Sequence, residues 1–229
     1  MWIYLIYIEK AQESYHFAST LSILIFMDLI SLLIALVVCI TVHEAAHAWV
    51  AMKLGDPTAQ IEGRVSLNPM RHLDILGTIM IFIAHFGWGK PVPFNYHNLK
   101  EPRRDAALIS IAGPVTNLLT ALIVALLVKY VPIPVVLGQP LGAIYTLSLV
   151  LFLFNLIPIA PLDGSKLLGL VIPRSKEAWY QNFISQGPLY IILLIVLDRL
   201  LAGVLGFSFF GTYLAYGYDF LTSLIMLLT

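Results

Sequence analysis

The sequence predicts an all-α polytopic membrane protein, and its composition and the length of its apolar segments carry that prediction. Of the 229 residues, 59% are hydrophobic and 11% are charged, and the mean hydropathy is +0.89. Charged residues make up about 25% of a typical soluble domain, so this chain is too apolar to be one. Several apolar segments also reach the roughly 20 residues that a helix needs to cross the hydrocarbon core of a bilayer.

About five transmembrane helices are expected from these segments. They cover residues 21–52, 105–130, 139–160, 187–206 and 208–228. A further apolar piece, residues 73–86, is too short to cross the bilayer comfortably. It is flanked by Asn68-Pro69 on one side and by Gly87-Trp88-Gly89 on the other.

The distribution of Lys and Arg favours a membrane re-entrant element over a sixth crossing at residues 73–86. If this piece enters the membrane and returns, the loops 53–72, 87–104 and 161–177 lie on one face and contain ten of the 13 basic residues. The positive-inside rule then makes that face cytoplasmic. If the piece crosses instead, the basic loops are divided between the two faces. Because irregular backbone at membrane depth must line protein or water, a re-entrant element also predicts a cavity near the cytoplasmic side.

Two short β-strands are expected beside this element, near the cytoplasmic side. They cover residues 60–67 (QIEGRVSL) and 90–94 (KPVPF). Pro91 and Pro93 suit an exposed edge of a sheet, because proline has no N–H to donate to a neighbouring strand.

The charge balance and the cysteine count exclude several classes of function. Lys plus Arg and Asp plus Glu both number 13, so no basic excess points to a nucleic-acid partner. A single cysteine, Cys39, excludes an internal disulfide and a cysteine-rich metal site. Membrane lipid is the expected surrounding, and the residues leave the oligomeric state open.

The motif His43-Glu44-Ala45-Ala46-His47 lies inside an otherwise apolar segment and indicates a metal site. His43 and His47 are four residues apart and therefore share one face of a helix, with Glu44 beside them. In the pattern H-E-x-x-H, two imidazoles bind Zn²⁺ and the carboxylate takes a proton from metal-bound water. A charged residue at membrane depth costs about 2.5–3.5 kcal/mol, and metal coordination offsets that cost.

A catalytic zinc site takes three protein ligands, so a third ligand must come from elsewhere in the chain. Asp28, Asp198 and Asp219 lie in apolar segments without an accompanying backbone signal. Asp163 instead ends the stretch N-L-I-P-I-A-P-L-D-G, residues 155–164, in which two prolines interrupt an apolar span. Broken helices mark binding sites in membrane proteins, which favours Asp163 as the third ligand.

Three motifs in this order resemble the site-2 protease family of intramembrane zinc metalloproteases. They are HEAAH at residues 43–47, GPVTN at residues 113–117 and NLIPIAPLDG at residues 155–164. Two further segments, GRVSLNP at 63–69 and GWGKPVPFN at 87–95, are similar to its small bacterial and archaeal branch, which lacks a PDZ domain.

The resemblance divides the chain into three parts. Residues 27–175 match the family and form the expected core metalloprotease domain. Residues 1–26 are expected to be a variable N-terminal extension, since a second methionine at position 27 begins an apolar run. Residues 176–229 are expected to form the C-terminal transmembrane helices.

The resemblance also implies a role for each residue that matches the metal-binding motifs. His43, His47 and Asp163 would hold one zinc ion. Glu44 would be the catalytic general base and acid.

Substrate-binding roles are implied for residues around this centre. Asn155 and Asn117 would bind substrate backbone or a tetrahedral oxyanion, or would instead bond neighbouring helices. Gly87 and Gly89 would belong to an edge to which an unwound substrate adds as a strand. Gly113, with the proline after it, is expected to shape helix packing.

The expected function is zinc-dependent hydrolysis of peptide bonds in transmembrane protein substrates, at a site in the cell membrane reached from the cytoplasm. Zinc would lower the pKa of bound water, and Glu44 would take its proton and pass it to the leaving amine. A non-catalytic metal-binding membrane protein, such as a zinc transporter or a scaffold, is the alternative, and it leaves Glu44 unexplained. The residues alone do not distinguish a membrane hydrolase that acts on a non-peptide substrate.

Overall fold

The computed structural model describes the backbone of residues 2–84, 89–206 and 208–229, and the side chains of residues 27–80, 89–206 and 208–229. All regular secondary structure in these ranges is helical. The α-helices are α1 (Trp2–Lys53), α2 (Thr58–Ile61), α3 (Ile75–Ala84), α4 (Pro102–Tyr130), α5 (Val135–Asn155), α6 (Gly164–Val171), α7 (Glu177–Ser185), α8 (Gly187–Leu205) and α9 (Phe209–Leu228). Single 3₁₀ turns occur at Pro69–Arg71, Tyr96–Asn98 and Arg174–Lys176.

Four helices in the described ranges are long and apolar enough to cross a membrane. They are Met27–Lys53 of α1, together with α4, α5 and α8. The all-α class and the multi-pass character expected from the sequence are therefore confirmed. The fifth expected segment does form a helix, α9, but Asp219 and several tyrosines interrupt its apolar surface and it is not one of the four.

The helices α1, α4 and α5 pack against one another and form the centre of the bundle. Small buried side chains, Ala35 and Cys39 on α1 and Ala121 on α4, allow the backbones to approach closely. Close packing of this kind holds helices together in lipid, where little hydrophobic force acts between them. The Cys39 sulfur lies 3.2 Å from Ser148 Oγ of α5, so it is part of this packing.

The helix α9 packs on the outer side of α5, and α8 contacts mainly α7 and α9. The side chain of Asp198 on α8 accepts hydrogen bonds from Ser208 Oγ at 2.5 Å and from the N–H groups of Phe209 and Phe210 at 2.7 and 3.1 Å. These bonds satisfy N–H groups at the start of α9 that have no partner inside the helix. Asp198 therefore has a structural partner in the connection between α8 and α9.

The prediction of two β-strands is wrong, because no β-strand occurs in the ranges that the structure describes. The first segment finishes α2 and continues as turns, with the Arg64 N–H donating to the Ala59 carbonyl at 2.8 Å. The second, termed the extended segment, has no regular secondary structure, and the pairing beside it in the described ranges is limited to an isolated antiparallel bridge between Leu73 and Gly89. Pro91 and Pro93 cannot donate, so a ladder beginning at this bridge does not continue.

The piece between residues 73 and 89 begins and ends at the same place. Its helix α3 covers ten residues, or about 15 Å, which is half the thickness of the hydrocarbon core. The bridge holds Leu73 beside Gly89, and the Lys90 N–H donates to the His72 carbonyl at 2.7 Å. Adjacent ends are what an element that enters and leaves a membrane on one side requires.

Asp56 ties residues 95–98, which follow the extended segment, to the end of α1. Its side chain is fully buried, and it accepts hydrogen bonds from the Asn95 N–H and the Asn98 amide, both at 2.7 Å, and from the Thr58 hydroxyl at 2.6 Å. Burial alone would raise the pKa of Asp56, but these donors stabilise the carboxylate and hold its pKa below the usual value. The path of residues 95–98 is thus fixed relative to the helix that carries the H-E-x-x-H motif.

Candidate metal centre

Three side chains predicted as metal ligands come together in the centre of the bundle. His43 and His47 project from α1, and Asp163 lies at the N-terminus of α6. The Nε2 atoms of His43 and His47 are 3.1 Å and 3.3 Å from Asp163 Oδ2. One ligand atom from each residue lies within 4.8 Å of the other two. Both imidazoles are buried.

The donor set and its spacing fit one Zn²⁺ ion. Zinc bonds to imidazole nitrogen and carboxylate oxygen measure about 2.0–2.2 Å, so neighbouring ligands of a tetrahedral ion lie roughly 3.3–3.5 Å apart. The two distances from Asp163 Oδ2 to the imidazole nitrogens, 3.1 and 3.3 Å, are close to this spacing. Three protein ligands also leave one coordination position open, as in catalytic rather than structural zinc sites.

A backbone carbonyl of α4 fixes the orientation of one imidazole. His47 Nδ1 lies 2.7 Å from the Ile109 carbonyl oxygen. A carbonyl can only accept, so Nδ1 carries the proton and Nε2 keeps its lone pair for the metal. Such partners on the far side of a ligating imidazole set its tautomer and raise its basicity.

Asn117 occupies the corresponding position behind His43. Its side chain is fully buried, with Nδ2 3.0 Å from His43 Nδ1, while Oδ1 has no hydrogen-bond partner in the described ranges. The oxygen and nitrogen ends of an amide are assigned from such networks. With Oδ1 turned toward His43, the amide oxygen accepts a hydrogen bond from Nδ1–H, and Nε2 keeps its lone pair for the metal. This contact favours support of His43 over contact with substrate.

Gly113 gives the site the space that it needs. A Cβ atom at this position would lie 2.6 Å from His43 Nε2 and also collide with His47 Nε2. The backbone of α4 therefore passes directly beside the two ligating nitrogens. The sequence predicts only helix packing for Gly113, whereas the structure places it against the metal ligands.

A break in the helical path brings Asp163 to the histidines. The helix α5 ends at Asn155, and α6 begins at Gly164. Between them the chain forms a series of turns, with the Leu162 N–H donating to the Ile159 carbonyl at 2.9 Å. A Cβ atom on Gly164 would lie 2.6 Å from the Ile157 carbonyl oxygen, so only glycine fits after the aspartate.

Glu44 lies beside the metal ligands and faces the extended segment. A Cβ atom on Gly89 would be 3.4 Å from Glu44 Oε1 and 2.9 Å from the side chain of Ile40. The predicted site residue Gly89 is therefore next to the predicted general base. Gly87 lies outside the described residues.

Asn155 is the last residue of α5, and its amide nitrogen donates to the Leu151 carbonyl of the same helix at 3.0 Å. This bond neither requires nor excludes contact with a substrate. Its substrate-binding role stays a prediction.

The sequence prediction did not assign the orienting contacts behind the imidazoles. The Ile109 carbonyl gives no side-chain signal, so no motif could have revealed it. Gly113 and Asn117 did carry a signal, because they are four residues apart and share one face of α4. If that face meets α1 at the histidines, the glycine supplies the space and the asparagine the hydrogen bond.

Comparison with known proteins agrees with this site. Residues 133–197 match the sequence profile described as "Peptidase family M50". The chain is 42% identical over 174 residues to "Putative zinc metalloprotease YwhC" of Bacillus subtilis, covering 72% of this chain and 80% of that protein. It is 32% identical over 180 residues to the similarly named Rip2 of Mycobacterium tuberculosis, covering 76% of this chain and 68% of that protein.

A third relative, "Zinc metalloprotease MJ0392" of Methanocaldococcus jannaschii, is 28% identical over 146 residues, covering 62% of this chain and 34% of that protein. No solved structure matches the chain significantly.

A membrane bundle with an open His-His-Asp centre is suited to metal-assisted hydrolysis. With the relatives above, it shows that the chain belongs to peptidase family M50, the site-2 protease family of zinc metalloproteases. The protein is therefore an enzyme with a zinc cofactor, and family membership sets aside the non-catalytic transporter or scaffold.

Proposed function

We propose that this protein is an intramembrane endopeptidase that hydrolyses peptide bonds of transmembrane proteins, with Glu44 as general base and acid. The observation that carries the proposal is the position of the site. His43, Glu44 and His47 belong to a helix that is long and apolar enough to cross the membrane, and Asp163 meets them there through a broken helix. A peptide bond inside a transmembrane segment of a substrate could therefore reach these side chains.

His43, His47 and Asp163 would hold the zinc ion. When bound, zinc lowers the pKa of a coordinated water toward 7 and polarises the carbonyl group of a substrate. The Ile109 carbonyl and the Asn117 amide keep both imidazoles turned toward the ion.

Glu44 moves the proton in this mechanism. Its carboxylate accepts a proton from the water that attacks the peptide carbonyl carbon. As the new C–O bond forms and the C–N bond breaks, Glu44 returns the proton to the leaving amine nitrogen. Its position beside Gly89 places the carboxylate at the border between the ligands and the extended segment.

The extended segment after Gly89 supports a proposal for substrate binding. A transmembrane helix must unwind before its peptide bonds are accessible, because they are bonded to one another inside the helix. Unwound substrate would lie against the backbone around Gly87 and Gly89, and Asn155 would bind substrate backbone. Helix-weakening residues in a substrate should then speed cleavage.

We further propose that water and substrate reach the site from the cytoplasmic side. Ten of the 13 basic residues fall on the face that a re-entrant piece at residues 73–86 would define as cytoplasmic. The adjacent ends of that piece, Leu73 and Gly89, support re-entry.

Glu44→Gln tests the general base. The purified full chain and the variant would be reconstituted in vesicles with a panel of labelled single-pass transmembrane segments, half with Gly-Pro at the midplane and half without. We expect Glu44→Gln to keep one zinc per chain, measured by mass spectrometry, and to lose cleavage by at least about 100-fold, since general acid–base catalysis contributes 10²–10⁴-fold.

Glu101→Gln is the matched control, since this glutamate is exposed at the start of α4 and should leave cleavage unchanged. Retained turnover by Glu44→Gln would exclude Glu44 as the base. Cleavage of soluble quenched-fluorescent peptides, without cleavage of any membrane segment, would show that the enzyme is not an intramembrane endopeptidase.

A further inference from the structure

A buried arginine bonds the stretch of backbone that borders the proposed base, and it has no role in the mechanism described so far. Arg64 is 2% exposed. One end of its guanidinium, Nη2, donates to the Lys90 carbonyl oxygen. Its other two donor atoms, Nε and Nη1, have no hydrogen-bond partner in the part of the chain that the structure describes.

Burying a guanidinium is expensive, so its position calls for a compensating interaction. Moving a charge out of water costs several kcal/mol unless an opposite charge or hydrogen bonds replace the solvent. The Lys90 carbonyl supplies one hydrogen bond. Burial lowers the pKa of Arg64, while the negative charges of Glu44 and Glu62 act in the opposite direction. Glu62 is exposed and its field is screened by water, so Glu44 is the anion that acts on Arg64 most strongly.

The Lys90 carbonyl connects Arg64 to Glu44 through the backbone as well. Lys90 follows Gly89, whose missing side chain leaves its backbone next to Glu44 Oε1. The same short stretch is held from the other side, where the Lys90 N–H donates to the His72 carbonyl at 2.7 Å. Arg64 therefore fixes the stretch of backbone that borders the Glu44 carboxylate.

We propose that Arg64 is a positioning residue for the general base: its guanidinium anchors the Gly89–Lys90 backbone beside Glu44 and sets a permanent positive charge on that side of the carboxylate. An arginine suits this task because it stays protonated and presents several donors in a rigid plane. The inference rests on the proposed role of Glu44. It assigns Arg64 no contact with the metal and none with the substrate.

Steady-state kinetics of two variants test this role. Arg64→Met keeps an unbranched side chain of similar length but removes the charge and the hydrogen-bond donors. Arg64→Lys keeps the charge, on a single donor nitrogen. The substrate is whichever segment or soluble peptide the wild type cleaves. We expect kcat to fall by about 100-fold in Arg64→Met, the size of effect that a misplacement of about 1 Å produces. The kcat of Arg64→Lys should lie between those of Arg64→Met and wild type. The KM and the zinc content of both variants should stay within twofold of wild type.

Arg71→Met is the matched control, because Arg71 belongs to the same loop and is exposed. Its kcat should equal that of wild type. Wild-type kcat in Arg64→Met would overturn the proposal, as would a loss of zinc or of thermal stability that parallels the loss of kcat. If Arg64→Met does not fold, Arg64→Lys decides: a lower kcat with unchanged zinc supports the proposal, and an unchanged kcat overturns it.

A double-mutant cycle separates action through Glu44 from general support of the structure. Glu44→Asp moves the carboxylate back by one methylene and should leave weak, measurable activity. If Arg64 acts by positioning Glu44, adding Arg64→Met to Glu44→Asp should cost less than tenfold rather than about 100-fold. If the losses in kcat of the two single variants simply multiply in the double variant, the proposal is overturned. Full activity of Glu44→Gln would instead refute the proposed function itself, whatever Arg64 does.

Discussion

The two halves of the catalytic centre are built differently. On the metal side, three helices supply the ligands and their support, and each imidazole Nδ1 has a partner, from Ile109 or from Asn117. On the base side, Glu44 faces irregular backbone at Gly89, and the supporting guanidinium of Arg64 leaves two donors unpartnered in the described ranges. Metal binding therefore depends on rigid helix packing, whereas the proton transfer that we propose for Glu44 would depend on loops held by a few polar contacts.

This difference predicts that the two functions separate under mutation. Changes on the metal side should reduce zinc content and activity together. Changes on the base side should reduce activity while zinc stays bound. Three substitutions, in order of decreasing effect, sharpen this comparison or break it.

Gly113→Ala should have the largest effect, because it acts on the metal side directly. The added Cβ would lie 2.6 Å from His43 Nε2, so the imidazoles or α4 must move. We expect loss of nearly all bound zinc and of measurable cleavage. Mass spectrometry of metal content and the cleavage assay check this.

Gly138→Ala is the matched control, because a Cβ atom there meets nothing within 4 Å, and it should retain full zinc content. A Gly113→Ala enzyme with normal zinc content would show that the helices around the metal are less rigid than the comparison requires.

Asn117→Leu should have an intermediate effect on the same side. It keeps the volume of the buried side chain but removes the hydrogen bond to His43 Nδ1. Loss of such a supporting partner weakens metal affinity by about 10–100-fold. Competition with a chromophoric zinc chelator would measure the change.

Thr120→Val is the control for Asn117, since it removes only a bond from the Thr120 hydroxyl to the Thr116 carbonyl of its own helix. Unchanged zinc affinity in Asn117→Leu, with poorer substrate binding, would support the substrate role predicted from sequence.

Asp56→Asn should have the smallest effect and should leave the metal in place. The amide cannot accept all the bonds from Thr58, Asn95 and Asn98, so we expect a loss of about 1–3 kcal/mol of stability. Because the pKa of Asp56 is lowered in the folded protein, its carboxylate stabilises the fold above about pH 4. That contribution disappears as the pH falls through the folded pKa.

Thermal unfolding of wild type and Asp56→Asn at several pH values would check this prediction. The difference between them should be full at pH 7 and should shrink below about pH 4. Asp28→Asn, at an exposed position on α1, is the control. Loss of zinc from Asp56→Asn near neutral pH would show that the loops also support the metal side.

The sequence determined the class of fold and the ligand set of this protein. Long apolar segments can only form helices in lipid, so the all-α class follows from composition and length. The spacing of His43 and His47 fixes them on one helix face, and the prolines before Asp163 mark the broken helix that presents the third ligand. The structure brings these three side chains together as predicted.

The tertiary structure decided what depends on contacts between distant segments. It removed the two expected strands: residues 60–67 finish α2 and continue as turns, and the prolines at 91 and 93 stop the pairing that begins at Gly89. It also gave Gly113 its place against the imidazoles and Arg64 its hydrogen bond to the backbone that borders Glu44. Local sequence encodes helices and ligand spacing, but which backbone passes beside which side chain is set only when α1 and α4 pack and the loops close over them.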